Sequence, residues 1–335
     1  NARPFNDPSV RYRCFNMSQE LTRRGYRSEV VSQLNFERSF EELDSYDAYI
    51  FHRPYLNSFL ADFLAAHKDR CIADFDDFIF DVRFADQTPM VRVRGGSSAA
   101  TRSYVASTAE AASMFSRFTV STAPLKAHCE RLFEGVTEII PNSVDRGFVG
   151  SARVIRRNSR YQDRPYALGY FSGTATHDLD LVVAAPAIAK FLKANRGARM
   201  LVVGPVKMPQ ELSAFSAQIN VQDLVPYHRL PRIMAQCKRV IAPLEDTVFT
   251  RSKSGLKFFE AALVGCDVVA TPIPDIDRFD SSVLFKCQSA QEWEEALTAP
   301  CLLSESDREE AIRSVEDMVR IEASFSNWRS FVGVK

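Results

Sequence analysis

Short apolar runs alternate with longer amphipathic stretches along almost the whole chain. The apolar runs are bounded by polar residues and by glycine or proline, which is typical of buried strands. They predict strands at Ser28–Val31, Asp47–Phe51, Cys71–Asp74, Phe118–Ser121 and Thr137–Ile140, and then at Tyr166–Phe171, Arg199–Val203, Val240–Pro243, Asp267–Ala270 and Val283–Phe285. Strands that alternate with helices favour an α/β fold built on parallel, doubly wound sheets.

Between these runs the apolar residues recur at helical spacing. They predict helices at Val10–Arg24, Ser58–Lys68, Thr101–Phe115, Ala123–Leu132, Asp178–Ala194, Pro209–Gln218, Pro231–Gln236, Lys253–Val264 and Ala290–Leu297, and one long charged helix at Ser304–Phe331.

The length of 335 residues is enough for two domains. The stretch Gly147–Arg164 is polar, rich in arginine and serine and only weakly periodic, so it is interpreted as the linker. The predicted division is therefore 1–150 for the first domain, 151–303 for the second and 304–335 for the terminal helix. Ligands of such sheets bind at the carboxyl ends of the strands, here in a cleft between the two domains.

The charge of the chain is balanced, with 42 basic and 42 acidic residues, which gives no support to a nucleic-acid binder. The seven cysteines are scattered without a CxxC pair, which indicates reduced thiols in a cytoplasmic protein and no zinc site. No apolar run is long enough to span a bilayer, and no signal peptide is visible. Since the first residue is Asn1, a piece of a longer multidomain chain is also an expectation.

The stretch Phe249–Glu260 carries the strongest candidate chemistry. It follows a predicted strand and places three cations, Arg251, Lys253 and Lys257, around the start of a predicted helix. A helix N-terminus with added cations is suited to a diphosphate, and Glu260 could accept hydrogen bonds from a ribose. The alternative is a solvated amphipathic helix.

A second candidate phosphate contact is the turn Ser172-Gly173-Thr174, whose small residues follow a predicted strand. An ordinary tight turn is the alternative. His177 either faces the same cleft or caps the helix that follows. The chain has no GxGxxG fingerprint, which weakens a dinucleotide-dependent function.

Polar groups also follow two strands of the first domain. Asp74, Asp76 and Asp77 crowd one strand end, and His52 and Arg53 follow another. Such carboxylates need cations, a substrate or water beside them, and one of them could hold or deprotonate a sugar hydroxyl. Helix capping by the aspartates and a core position for His52 are the alternatives.

The segment Arg11-Tyr12-Arg13 enters the first helix, where residues often line the cleft, although solvent exposure is the expectation for at least one arginine.

Taken together, these motifs resemble the family 4-like glycosyltransferases of the GT-B fold, which have two Rossmann-like domains. The resemblance covers nearly the whole chain. It rests on Pro243-Leu244, Phe249, Lys253-Ser254, Lys257, Glu260, Gly265 and Val268–Thr271, on Ser172-Gly173-Thr174, and on Arg11-Tyr12-Arg13, Asp74–Asp77 and Ile140–Asp145. It implies that the terminal helix crosses back to brace the first domain.

The resemblance implies transfer of a hexose or deoxyhexose from a nucleoside diphosphate to an acceptor hydroxyl, without a metal or other cofactor. The donor would lie on the second domain, with the diphosphate on Arg251, Lys253, Ser254 and Lys257, the ribose on Glu260, and Ser172, Gly173, Thr174 and His177 nearby. The acceptor would lie on the first domain, near Arg11, Arg13, His52, Arg53 and Asp74. Arg251 and Lys257 would stabilise the leaving diphosphate.

The sequence departs from the family pattern at Ser252, where many members carry a second glutamate. Retention of anomeric configuration is the favoured outcome, and inversion with Asp76 or Asp77 as the base is the alternative. The expected pathway is bacterial surface polysaccharide synthesis, such as lipopolysaccharide O-antigen, with a glycan or lipid-linked glycan acceptor. The expected location is cytoplasmic or peripheral to the inner face of the membrane. A nucleotide-sugar epimerase, a glycan phosphorylase and a non-catalytic glycan- or partner-binding module remain alternatives.

Overall fold

The computed structural model describes residues 7–38, 45–93, 95–174, 178–300 and 303–334. Within them it contains two parallel sheets, as the alternating pattern predicts. The first sheet has the strand order β1-β2-β3-β4, and the second has the order β10-β9-β8-β5-β6-β7. The strands are β1 Tyr49–His52, β2 Cys71–Phe75, β3 Arg117–Val120, β4 Val136–Ile139, β5 Tyr166–Phe171, β6 Met200–Val203, β7 Ile219–Gln222, β8 Cys237–Ala242, β9 Asp267–Ala270 and β10 Leu284–Lys286.

Helices cover both sheets. Around the first sheet the α-helices are Pro8–Val10, Asn16–Arg23, Gln33–Arg38, Ser58–His67, Pro89–Arg92, Ser98–Ser113 and Ala123–Leu132, and Arg11–Phe15 is a π-helix. Around the second they are Arg146–Asn158, Asp178–Ala194, Leu230–Met234, Val248–Arg251, Leu256–Leu263, Pro274–Asp277, Ala290–Thr298 and Glu305–Val319. The last helix, Ile321–Val332, packs beside the first sheet. Short 3₁₀ helices lie at Lys68–Arg70, Val82–Gln87, Tyr161–Asp163, Gln210–Gln218 and Tyr227–Arg229.

One strand prediction fails, and one strand is missed. Ser28–Val31 is not a strand, and all four of its residues are at least partly exposed, so no apolar face is available to pack it beside β1. Conversely, β7 was not predicted, because its alternating sequence Ile-Asn-Val-Gln is only four residues long. It pairs in parallel with β6 at the edge of the second sheet, where a half-exposed strand is tolerated.

The turn that follows β5 packs closely against the end of the neighbouring strand β6. Every residue of β6 and β9 is buried, which fits strands covered by helices on both faces. At the end of β6, Gly204 has φ +99°, and a Cβ atom there would lie 1.9 Å from the carbonyl oxygen of Ser172. Only glycine permits this approach, so Gly204 holds the Ser172 turn against the sheet.

The linker interpretation of Gly147–Arg164 is wrong, because most of this segment is the helix Arg146–Asn158. The side chain of Asp145 caps the helix by accepting a hydrogen bond of 2.7 Å from the backbone N–H of Phe148. Phe148, Val149 and Ala152 are buried in the core of the second domain. The predicted boundary after residue 150 therefore falls inside this helix, although the two sheets lie on either side of it.

The prediction of one long terminal helix is also wrong. Arg320 is extended, with φ −65° and ψ 144°, and separates two helices. Glu305–Val319 packs in the core of the second domain through Ile312, Val315 and Val319. Ile321–Val332 packs on the first domain, where Phe325 and Trp328 join Met17, Leu21, Ile72 and Ile140 in one cluster. The expected return of the chain to the first domain is confirmed.

The two places where the chain passes between the domains lie side by side. Val144 forms a bridge with Arg320, in which the N–H of Val144 donates to the carbonyl of Val319 at 2.9 Å. The N–H of Ile321 donates to the carbonyl of Val144 at 3.0 Å. The domains are thus joined by two hydrogen-bonded extended segments.

Candidate functional site

The segment that follows β8 in the second domain contacts the first domain directly. Phe249 lies in the main apolar cluster of the first domain. The hydroxyl of Thr122 donates a hydrogen bond of 2.8 Å to the carbonyl of Ser252. Lys253 Nζ lies 3.2 Å from Asp77 Oδ1 across the same interface. The predicted donor stretch is therefore part of the interface between the domains.

The donor stretch is not one continuous helix. The helix Val248–Arg251 is capped by Thr247, and a second helix, Leu256–Leu263, follows after a short break. At the break, the N–H of Gly255 donates to Asp275 Oδ2 at 2.7 Å. As a result, Lys253 precedes the second helix, whereas Lys257 and Glu260 lie on it one turn apart.

The ammonium group of Lys257 is buried and lacks a paired anion in the described chain. Its Nζ has no hydrogen-bond partner among the described residues, and it lies 5.1 Å from the ring centroid of Tyr170. Burial lowers the pKa of Lys257 to about 8, against the opposing effect of Asp180. The hydroxyl of Ser254 is likewise buried without a partner in the described chain. Both groups are therefore available to an anionic ligand.

Glu260 is 4% exposed and accepts a short hydrogen bond from the hydroxyl of Tyr12 in the first domain. Burial raises the pKa of Glu260 to about 7. Tyr12, which is 7% exposed, belongs to the π-helix Arg11–Phe15 and packs edge-on against Tyr227, with ring centroids 5.6 Å apart. Sequence reasoning assigned no role to Tyr12, because nothing local signals a partner 248 positions away.

The turn after β5 faces the first domain. Ser172 is buried and donates a hydrogen bond of 2.7 Å to the carbonyl of Thr174. A Cβ atom on Gly173 would lie 3.4 Å from Pro8 Cγ. The turn and the Lys257 helix thus both border the interface. His177 lies outside the described residues.

Arg251 is not brought together with the other predicted cations. Its side chain is 63% exposed and forms an ion pair with Asp246, with distances of 2.5 and 2.7 Å. The reason is the helix break, since Arg251 ends the first short helix whereas Lys257 lies on the second. A diphosphate contact from Arg251 would first have to break this ion pair.

On the first domain, Asp74 is the centre of a buried network. Arg13 donates to both of its oxygens, at 3.1 Å from Nε and 2.5 Å from Nη2. His52 Nδ1 lies 2.8 Å from Asp74 Oδ2, and Thr119 donates to Oδ1 at 2.7 Å. Burial opposes ionisation, but the Arg13 guanidinium outweighs it and holds the pKa of Asp74 well below its usual range. Asp74 is therefore an ionised anchor for Arg13 and His52.

Arg53 relieves the repulsion between the other two aspartates. Its Nη2 lies 2.7 Å from Asp76 Oδ1 and 3.1 Å from Asp77 Oδ2. Arg53 adopts φ 51°, an unfavourable backbone conformation that is found at ligand sites when the surroundings enforce it. Burial alone would raise the pKa of Asp76, but the charges of Arg53 and His52 lower it to about 2.

Arg11 lies apart from this network. It pairs with Asp145 and lies over the ring of Tyr227, 4.6 Å from the centroid. The structure therefore brings Arg13, His52, Arg53 and the three aspartates together on the first domain, and places Arg11 outside this network, against Asp145 and Tyr227.

The described residues offer neither a metal centre nor a membrane span. No group of three or more histidine, cysteine, aspartate or glutamate side chains is placed to hold a metal ion. None of the helices in the described ranges has the length and apolar character needed to cross a membrane.

Residues 168–300 match the model of the family described as glycosyl transferases group 1. The chain carries a glycosyltransferase domain. No curated relative matches the sequence significantly. The matched region runs from β5 to just past the helix Ala290–Thr298 and includes Lys253, Lys257 and Glu260.

Solved structures extend the likeness to the whole fold. HepE of Anabaena, in complex with UDP and glucose, matches with TM-score 0.59 and 13% identity, over 95% of this chain and 89% of HepE. The trehalose-phosphate synthase of Burkholderia xenovorans matches with TM-score 0.63 and 14% identity, over 91% and 79%. WaaG, a glycosyltransferase involved in lipopolysaccharide biosynthesis, matches with TM-score 0.53 and 14% identity, over 95% and 92%. The fold of this glycosyltransferase is GT-B, as its sequence motifs indicate.

Proposed function

We propose that this glycosyltransferase moves a sugar from a UDP-linked donor to a hydroxyl group of a glycan acceptor. The observation that carries the proposal is the buried, unpaired ammonium of Lys257 beside Glu260, at the interface between the two domains. The choice of UDP is supported by the similar protein HepE, whose structures are complexes with UDP and with UDP-glucose.

The proposed contacts of the sugar donor follow from the charges of the residues at the interface. Lys257, Lys253 and Ser254 bind the diphosphate, with the backbone of Gly173 and Thr174 opposite, and Glu260 accepts hydrogen bonds from the ribose. Because negative charge grows on the diphosphate as the sugar leaves, preorganised cations stabilise the transition state more than the ground state. These groups need no metal ion, so we propose a metal-independent reaction.

On the acceptor side, we propose that Arg13, His52 and Arg53 border the acceptor, and that the reaction retains the anomeric configuration. The bond between the anomeric carbon and the diphosphate oxygen breaks, the acceptor oxygen bonds to the same face, and its proton passes to the leaving diphosphate. Asp76 supports retention over inversion, because a carboxylate paired with Arg53 and with a pKa of about 2 is a weak base at neutral pH.

We further propose that the acceptor belongs to a bacterial surface polysaccharide, such as lipopolysaccharide O-antigen, and that the reaction occurs at the cytoplasmic side of the membrane. The similar protein WaaG is involved in lipopolysaccharide biosynthesis, which supports this class of acceptor. TarM, also similar in fold at TM-score 0.54 and 12% identity, is in complex with α-GlcNAc-glycerol and UDP.

The test is calorimetric titration with UDP together with a donor-hydrolysis assay. We expect Lys257→Ala and Glu260→Ala each to weaken UDP binding at least tenfold, since each removes a charged contact worth about 1.5–3 kcal/mol. Lys190→Ala is the matched control, because Lys190 pairs with Glu294 on the outer surface of the same domain. Unchanged affinity in both site variants would overturn the donor assignment.

The acceptor side has its own test. Asp76→Asn and Asp77→Asn should leave a measurable rate of transfer if the reaction is retaining, and product analysis by NMR should find the anomeric configuration of the donor. Loss of transfer by a variant that still binds UDP, together with an inverted product from the unmodified protein, would instead identify an aspartate base.

A further inference from the structure

The hydrogen bond between Tyr12 and Glu260 joins the two domains at the carboxylate that we assign to the donor. Both side chains are almost fully buried, at 7% and 4% exposure, so water does not compete for this bond. The hydroxyl of Tyr12 bonds to Oε1 of Glu260. A ribose bound by Glu260 would present the same chemical group, a hydroxyl that donates to the carboxylate.

The surroundings of the Tyr12 ring point the same way. The ring packs edge-on against Tyr227, and Arg11 lies over the other aromatic ring of the pair. The Tyr12 hydroxyl therefore takes the place on Glu260 that a ribose hydroxyl would need, in a pocket lined by aromatic rings.

Tyr12 also lies in the π-helix Arg11–Phe15. Such segments are rare and cost stability, and they frequently occur where a side chain must be directed to a functional site. The next residue, Arg13, holds Asp74 through two hydrogen bonds. One short segment therefore contacts the proposed donor carboxylate with Tyr12 and the proposed acceptor network with Arg13.

We propose that Tyr12 and the nucleoside of the donor are alternative partners of Glu260, so that donor binding displaces the Tyr12 hydroxyl and moves the Arg11–Phe15 segment. This inference rests on the proposed function, because it takes Glu260 as the ribose contact. Its consequence is that arrival of the donor is transmitted to the acceptor side over a single peptide unit, from Tyr12 to Arg13.

The test is UDP binding by calorimetry with Tyr12→Phe, which keeps the ring and removes only the hydroxyl. We expect UDP to bind about tenfold more tightly, since the arrangement that excludes the ribose loses one hydrogen bond to a carboxylate. Tyr46→Phe is the matched control, because Tyr46 also donates to a glutamate, Glu29, on the surface of the first domain. Its UDP affinity should equal that of the unmodified protein.

Equal or weaker UDP binding by Tyr12→Phe would overturn the inference. If the unmodified protein, Tyr12→Phe and Tyr46→Phe all fail to bind UDP, the proposed donor site itself is wrong, so the two failures are distinguishable.

Hydrogen exchange gives a second readout that does not depend on the variant. Saturating UDP should accelerate exchange of the amide protons of Arg11–Phe15 by at least several-fold and leave those of the helix Ser58–His67 unchanged. Unaltered or slower exchange at Arg11–Phe15 in the presence of bound UDP would show that Tyr12 stays in place, and would refute the displacement.

Discussion

Replacing Lys257 with methionine should stabilise the protein while weakening its affinity for the donor at least tenfold. Methionine has a similar length and no charge, so Lys257→Met removes an ammonium that has no hydrogen-bond partner in the described chain. Burial lowers the pKa of Lys257 from 10.5 to about 8. At about 1.4 kcal/mol per pH unit, the charged form therefore costs the folded state about 3 kcal/mol.

The sign of the pH dependence follows from the lowered pKa. Below pH 8 the lysine is protonated in the folded and unfolded states alike, and the whole cost is present. Between pH 8 and 10.5 the unfolded chain binds more protons than the folded one, so the free energy of unfolding of the unmodified protein rises with pH. The methionine variant lacks this rise, and its advantage should be largest at pH 7 and mostly gone by about pH 10.

The assay is urea unfolding of both proteins at pH 7 and pH 10, followed by UDP titration at pH 7. Lys253→Met is the matched control, because Lys253 is paired with Asp77 and should lose stability or stay level when its charge is removed. The reasoning would be refuted if Lys257→Met were less stable than the unmodified protein at pH 7, or if its advantage did not shrink with pH. If Lys257→Met is more stable than the unmodified protein but has lost affinity for UDP, the buried charge of Lys257 destabilises the fold and serves ligand binding.

Three further changes test other parts of the site. Arg53→Ala should lower the free energy of unfolding by about 2 kcal/mol at pH 7, because the pKa of Asp76 then rises from about 2 toward its ordinary 3.8. In urea titrations this loss should vanish as the pH falls through 2. Phe249→Ala should weaken the contact between the domains by about 3 kcal/mol and enlarge the radius of gyration measured by X-ray scattering. An unchanged radius of gyration would mean that other contacts hold the domains together. Glu260→Gln should become more stable than the unmodified protein as the pH rises from 5 to 8, because the raised pKa of about 7 makes ionisation of Glu260 destabilising. If the melting temperatures of the two proteins change with pH in the same way, this expectation is wrong.

Much of the fold follows from local patterns. The strands Tyr166–Phe171 and Asp267–Ala270 and the helices Ala123–Leu132 and Asp178–Ala194 begin and end where predicted, because their apolar runs are bounded by polar residues or helix caps. The helix Arg146–Asn158 was missed because its arginines dominate the composition, although its buried residues keep helical spacing. The break at Arg320 was not predictable, since the amphipathic pattern continues through it and the backbone of Val144 decides it.

The residues of the candidate site also fall into those that local sequence patterns could predict and those that they could not. Lys257 and Glu260 could be predicted as neighbours because they are three positions apart on one helix. Arg251 could not be excluded, since only the cap at Gly255 reveals that it belongs to a different helix. Tyr12 could not be found at all, because its partner Glu260 lies 248 positions away in the sequence.

The paired crossings at Val144 and Arg320 have a consequence for protein engineering. The first domain is completed by the terminal helix Ile321–Val332, which supplies Phe325 and Trp328 to its packing. A chimera that exchanges acceptor domains between related enzymes must therefore graft two pieces, one before residue 144 and one after residue 320. A single-point fusion would combine the body of one enzyme with a mismatched closing helix from the other, and should express as an aggregation-prone product.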